Sequence, residues 1–329
     1  MADLWKKIKN KLYTKTQNGM GRLLRENAKV LLGWREYRRL WKNGGVTGGK
    51  LYLFPWNSIG DIYILGMYYQ VNTAKFREPF TLAVVGGGCF TVAEMAGFPS
   101  VVNVSQRSMN WLVRMKLSTG AAMDRVEVLH YEYVHTGIEP AITYYKGFKF
   151  IENYGIYVFG EELREGPLRN ICSFGFNYED FYRRYGIVKT KTVILAPYAK
   201  SVEVLPESLW RDIAALLANR GFTVLTNSSG ESEPPVVGTR SVLFPLFAAK
   251  EILDYAGFFI GIRSGICDII SPSSCGKVIL YPYMEGRFKT IQYYSLKLIP
   301  GSVNFYELEY LPDIDMQRVL SEILCSEGT

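Results

Sequence analysis

The chain has 329 residues, of which 48% are hydrophobic, and its mean hydropathy is +0.01. That is long and apolar enough for two domains with a sizeable core, and it excludes a disordered polymer. Residues 1–50 hold 13 Lys and Arg against Asp3, Glu26 and Glu36, a net of +10; the whole chain is +7, so the other 279 residues sum to −3, which argues against a nucleic-acid-binding body.

Residues 2–42 read as two basic amphipathic helices broken near Asn18-Gly19. Leu4, Trp5, Ile8 and Leu12 line the first, and Leu23, Leu24, Val30, Leu31, Trp34, Tyr37 and Leu40 line the second, from about Met20 to Trp41. Tryptophans among lysines and arginines suit the headgroup region of an anionic membrane, so residues 1–43 are expected to meet that surface; a helical extension packed on the body is the alternative. Apolar runs stop short of membrane-spanning length, and no signal-peptide core follows the basic start, so neither a transmembrane helix nor a secretory signal is expected. Five scattered cysteines without Cys-x-x-Cys spacing point to the cytoplasm and away from structural zinc.

Beyond the glycines at 44–45 and 48–49, strand and helix patterns alternate. Strands are predicted from Lys50 to Pro55, at Phe80–Val85, Ser100–Val104 and Val126–Val134, and helices at Ile62–Val71, Thr91–Gly97 and Ser108–Leu117. The alternation predicts a mainly parallel sheet covered by helices. Gly86-Gly87-Gly88 lacks the spacing of a dinucleotide fingerprint and reads as a tight turn with close backbone approach. Residues 136–191 carry one clear helix, Tyr178–Tyr185. A second alternating unit follows: strands at Thr192–Ala196, Phe222–Thr226, Ser241–Phe244, Phe258–Ile262 and Lys277–Tyr281, helices at Pro206–Arg220 and Ala248–Ala256, and a closing helix at Asp313–Leu324. The expected organisation is an extension (1–45), a first Rossmann-like domain (46–165), a connection (166–190), a second Rossmann-like domain (191–312) and the closing helix (313–329).

The second unit centres on Gly261-Ile262-Arg263-Ser264-Gly265-Ile266-Cys267-Asp268. A buried strand ending in a small polar turn and opening a helix puts backbone N–H groups at a pocket mouth. Those donors, the helix dipole and Arg263 favour an anion such as a phosphate or diphosphate.

Four segments together resemble GT-B glycosyltransferases, most nearly the bacterial heptosyltransferase-like family, over about three-fifths of the chain. They are Gly60-Asp61 opening an apolar helix; Ala196-Pro197-Tyr198-Ala199-Lys200 followed by Leu205-Pro206-Glu207-Ser208-Leu209-Trp210; Thr226-Asn227-Ser228-Ser229-Gly230-Glu231-Ser232-Glu233; and Gly261–Asp268. The chain departs from the family pattern at Arg263, where Asp is usual, at Asp268, where His is usual, and at Glu203, where Lys is usual. The resemblance implies two Rossmann-like α/β/α domains facing a cleft. It also implies transfer of a sugar from a nucleoside-diphosphate sugar to a glycan or lipid-linked acceptor, with inversion, in bacterial surface polysaccharide synthesis. It assigns Asp61 as base, with the helix N-cap as its alternative role. Tyr198, Lys200, Glu233, Arg263, Ser264, Gly265 and Asp268 fall on the donor, and Asn57, Ser58 and Gly60 on the acceptor side. No metal and no cofactor beyond the donor are expected, and the enzyme is expected at the inner face of the plasma membrane. A nucleotide-sugar epimerase and a non-catalytic nucleotide-binding scaffold are the rivals. His130 and His135 read as structural.

Overall fold

The computed structural model describes residues 19–46, 49–71, 74–133, 149–160, 162–163, 166–170, 175–200, 202–282, 290–311, 314 and 316. They fall into two compact units, one drawn from residues 1–57, 74–90 and 98–134 and the other from residues 58–73, 91–97 and 135–329. The predicted first basic helix, His135 and all of the predicted closing helix except residues 314 and 316 lie outside the described residues.

In the first unit, strands β1 (Lys50–Leu53), β2 (Phe80–Val85), β3 (Val101–Val104) and β4 (Val126–Val128) form a wholly parallel sheet in the order β3-β2-β1-β4. All six residues of β2 are buried, as its unbroken apolar run requires of a parallel strand covered on both faces. Helix α4 (Gln106–Thr119) starts at Ser105, whose hydroxyl accepts the Ser108 N–H at 3.1 Å. It buries Met109, Leu112 and Met115 against Leu51, Leu53 and Val126. The long helix α1 (Gly19–Lys42) lies on α4. Gly33 allows this: a Cβ there would stand 2.4 Å from the Trp111 carbonyl oxygen and 2.6 Å from the Met115 Cβ. Leu40 enters the same core, with Trp34, Tyr37 and Trp41 packed on its edge, while Leu31 stays 69% exposed.

Helix α3 (Gly87–Ala96) follows β2 and begins four residues before the predicted start. Only Gly86, at φ +86°, makes the turn; the next two glycines are already helical. β4 stops at Val128, and Tyr131–Tyr133 forms a 3-10 turn where strand was predicted.

The second unit holds β5 (Thr192–Ala196), β6 (Thr223–Asn227), β7 (Arg240–Val242), β8 (Gly257–Ile262), β9 (Gly276–Pro282) and β10 (Phe305–Tyr310). All pairings are parallel, in the order β10-β9-β8-β5-β6-β7. From β5 the chain builds outward to β7 on one side, then returns to β8 on the other. That is the Rossmann order, whose reversal between β5 and β8 opens a crevice at the carboxyl ends of those two strands. Helix α7 (Glu207–Asn219) covers the sheet with Leu209, Trp210, Ile213 and Leu217; α8 (Ala249–Ala256) buries Ile252 and Leu253.

Four further helices complete this unit: α2 (Ile59–Gln70), α6 (Tyr178–Tyr185), α9 (Gly265–Ile269) and α10 (Thr290–Tyr294). Helix α5 (Phe150–Asn153) runs on as a π-helical turn, Tyr154–Phe159. No helix among the described residues is long and apolar enough to cross a membrane.

Candidate active site

Two glycines bring the site together. Helix α2 starts at Ile59 and helix α9 at Gly265, and the two starts meet backbone to backbone. A Cβ at Gly265 would lie 2.7 Å from the Gly60 nitrogen and 2.6 Å from Ile59 Cγ1. A Cβ at Gly60 would collide with the Asp268 carboxylate and stand 3.1 Å from the Gly265 Cα. A larger residue at Gly265 would have to displace the Gly60 backbone, and one at Gly60 the buried Asp268 carboxylate, so both positions call for glycine.

Asp61 is the third residue of α2 and half-buried. Ser58, in extended conformation, is the residue before the helix, so Asp61 is not the N-cap that the alternative reading made of it. Its carboxylate accepts hydrogen bonds from the Ser58 hydroxyl and from Tyr154, the latter at 2.8 Å. Tyr154 is fully buried at the head of the π-helical turn. The turn is docked by Asn153, whose amide donates to the Tyr293 hydroxyl at 2.5 Å, and by Phe150, whose ring lies 5.2 Å from that of Tyr294. Tyr154 is thus a polar anchor for Asp61 that sequence reading missed; residues 136–177 carry no periodicity to flag it, and π-helical turns recur at functional sites.

Arg263, after β8, is 7% exposed and turned onto its own protein. Its guanidinium donates to Asp268 at 2.5 and 3.1 Å, to the Tyr294 carbonyl at 2.9 Å and to the Ser264 carbonyl at 2.7 Å. Four such bonds use most of its five N–H groups. Arg263 therefore positions the turn before α9 and the end of α10, in place of the direct phosphate contact expected from the sequence. Asp268, 3% exposed, is its counter-ion and is likewise turned away from solvent. Burial pushes the Asp268 carboxyl up to about 6, against the pull of Arg263 and with a further push from Asp61. Burial works to lower the Arg263 pKa, but Asp268 outweighs it and the guanidinium stays charged. With the pair neutral as a unit, the exposed face of the turn is formed by the half-buried Ser264 and Gly265, at the positive end of α9.

Tyr198 and Lys200 follow β5, the strand beside β8, and Glu233 lies in the loop after β6. The Tyr198 hydroxyl donates to the Pro234 carbonyl, tying these two loops together. Burial, with the Glu207 and Glu233 charges, raises the Tyr198 pKa. Glu233 accepts from the Ser229 hydroxyl in a tight turn whose backbone closes Glu233 N–H to Gly230 O at 3.0 Å. Lys200 is exposed and makes no ion pair among the described residues. The carboxyl ends of β8, β5 and β6 thus carry Ser264, Gly265, Tyr198, Lys200 and Glu233 along one edge, astride the strand reversal.

Asn57 belongs to the first unit, where its side chain fills the space beside Gly86: a Cβ there would stand 2.6 Å from Asn57 Oδ1. This is the close approach the glycine turn predicts. His130 is buried, stacks on Tyr131 with ring centroids 4.4 Å apart, and its Nδ1 accepts the Glu132 N–H at 3.3 Å, in keeping with a structural role. The chain's Asp-x-Asp segment, Asp313-Ile314-Asp315, has both acids outside the described residues.

Among solved structures, the chain is similar to the E. coli heptosyltransferase WaaC with ADP, at TM-score 0.53 and 14% identity, over 85% of this chain and 100% of that one. It is similar to the glycosyl transferase family 9 from Veillonella parvula DSM 2008, at TM-score 0.52 and 12% identity, over 85% and 91%. The fold is GT-B. The iron-containing dodecameric glycosyltransferase TibC from enterotoxigenic E. coli H10407 follows at TM-score 0.50 and 13% identity, over 85% and 76%. No family model matches the chain, and no curated protein matches its sequence. Two parallel Rossmann-like sheets in one chain are what the GT-B fold requires, and both are present here.

Proposed function

We propose that the chain is an inverting glycosyltransferase that moves a sugar from a nucleoside-diphosphate sugar to a glycan or lipid-linked acceptor, in bacterial surface polysaccharide synthesis. The observation that carries the reading is the Asp61 carboxylate, held by Tyr154 and Ser58 at the point where α2 abuts the start of α9. Inverting transfer needs one base and no covalent enzyme intermediate. Asp61 takes the proton of the acceptor hydroxyl as its oxygen bonds to the anomeric carbon. The bond from that carbon to the donor phosphate breaks, and the nucleoside diphosphate leaves with the electron pair. Charge grows on that leaving group, where the Ser264–Gly265 backbone, the α9 dipole and the Lys200 ammonium are suited to meet it. Glu233 and Tyr198 are the groups for the ribose and base side of the donor. The reaction as written uses no metal.

The proposal extends to an anionic membrane surface at the cytoplasmic face, met through residues 1–43. Its support is the outward side of α1, where Arg35, Arg38 and Lys42 surround the exposed Leu31 and the half-buried Trp34.

The test is sugar transfer from labelled nucleotide sugars to membrane-lipid and glycan acceptors, with Asp61→Asn beside the parent. Loss of at least a hundredfold in kcat, with donor affinity kept, is expected of a missing base. Full transfer by Asp61→Asn would refute the assignment. Conversion of the donor sugar without any acceptor would replace transfer by epimerisation.

A further inference from the structure

We propose that the groove between α1 and α4 is a binding site for a phosphate or diphosphate group. It is a cavity of about 490 Å³ in the first unit, lined by Lys29, Arg107, Asn110, Trp111, Arg114 and Tyr133. None of these residues belongs to the candidate active site, so the inference stands apart from the proposed reaction. The groove is a consequence of Gly33. That residue draws α1 onto α4 at Trp111 and Met115, and Lys29, one turn earlier on α1, lines the cavity.

Three cations face this space and one acid is joined to it. Glu26 holds Lys29 at 2.7 Å and Arg114 at 3.0 Å, which fixes both cations at the rim and leaves a net charge of +2 with Arg107. Glu132, next to Tyr133, does not line the groove. Arg107 makes no ion pair among the described residues; its guanidinium lies over the Trp111 ring, 5.5 Å from the centroid. A guanidinium over an aromatic face is held by the ring while its N–H groups remain for an oxyanion, and arginine takes phosphate through such N–H groups. Tyr133, also in the lining, adds a half-buried ring and hydroxyl, suited to a ring carried by the phosphate. The charge, the stacked arginine and the aromatic walls select a phosphorylated compound over a simple carboxylate.

A soluble phosphorylated compound and a phospholipid headgroup share this chemistry, and two arms separate them. Inorganic pyrophosphate is titrated calorimetrically into the full chain, and the chain is co-sedimented with phosphatidylcholine vesicles with and without phosphatidylglycerol. Each arm is repeated with Arg107→Gln, with Arg107→Gln/Arg114→Gln and with Arg77→Gln, a charge-matched change in the same unit, away from the groove and from the outward side of α1. All three arginines are exposed, and the single Arg107→Gln variant, which breaks no ion pair among the described residues, carries the test alone if the double variant is unstable. At least a tenfold loss of pyrophosphate affinity in the groove variants, and none in Arg77→Gln, supports a soluble phosphate. The same pattern confined to phosphatidylglycerol vesicles supports a headgroup. Binding of both probes unchanged in the groove variants, equal loss in Arg77→Gln, or no binding of either probe by the parent overturns the proposal.

Discussion

Arg263 and Asp268 illustrate how a residue's neighbours decide between binding and support. From sequence, an arginine and an acid beside a glycine turn look like ligand-binding groups. In the structure each is consumed by the other, and the arginine also closes the Ser264 and Tyr294 carbonyls. Breaking such a buried pair leaves an uncompensated charge, whereas replacing both partners by apolar groups removes charge and cost together. Arg263→Met should therefore lower stability by about 3–5 kcal/mol, and Arg263→Met/Asp268→Leu should recover most of it. The pH dependence has a defined sign. A folded-state Asp268 pKa raised from 3.8 to about 6 means that the folded protein binds the proton more tightly than the unfolded chain. Its contribution is complete below about pH 4 and is lost as pH rises through about 6. Without Arg263 the carboxyl rises further and that loss extends to higher pH. Urea unfolding of the parent and both variants at pH 5 and pH 7.5 measures this. A single variant within about 1 kcal/mol of the parent at both pH values would contradict the pairing argument.

At the scale of elements, what the sequence disclosed follows burial. Strands buried on both faces, Phe80–Val85 and Thr192–Ala196, have unbroken apolar runs, and their predicted and observed limits coincide. Helices with one apolar stripe, α1 and α7, were legible to within a residue at each end. Strand β10 was not. No element was predicted between Tyr281 and Asp313; Glu307, within β10, accepts hydrogen bonds from Tyr281, from the Ser295 hydroxyl and from the Leu296 N–H at 2.9 Å. A polar residue satisfied by partners distant in sequence leaves no local trace. The site divides the same way: the Gly60–Gly265 approach shows in the sequence as glycines beside polar residues, while Tyr154 and the Arg263–Asp268 pair depend on tertiary neighbours. The α1–α4 crossing was half legible. The apolar stripe of α1 was plain, but whether it met lipid or protein turned on Gly33, which alone admits the α4 backbone.

At the scale of the whole chain, the apolar stripe of α1 is largely used in packing on α4, so deleting residues 1–43 would strip the first unit's core as well as any membrane contact. The sharper test changes charge alone. Arg35→Gln/Arg38→Gln/Lys42→Gln should weaken partitioning to phosphatidylglycerol vesicles by roughly a hundredfold, at about 1 kcal/mol per cation near the surface, and leave folding intact. Unchanged partitioning would remove the membrane from the account. Ligands of open parallel sheets bind where the strand order reverses, and here the reversal between β5 and β8 is where the proposed donor site is set.

Whether this edge binds a nucleoside diphosphate is decided by a thermal-shift comparison of UDP, GDP, ADP, CMP and NAD. Lys200→Ala is the paired variant, because Lys200 is exposed and its loss cannot unfold the chain as loss of Arg263 would. At a hundred times Kd a ligand stabilises the folded state by about 2.7 kcal/mol. The account predicts a rise in Tm with one nucleoside diphosphate, and at least tenfold weaker binding in Lys200→Ala. No rise with any diphosphate in the folded protein, or a rise with NAD alone, would contradict it.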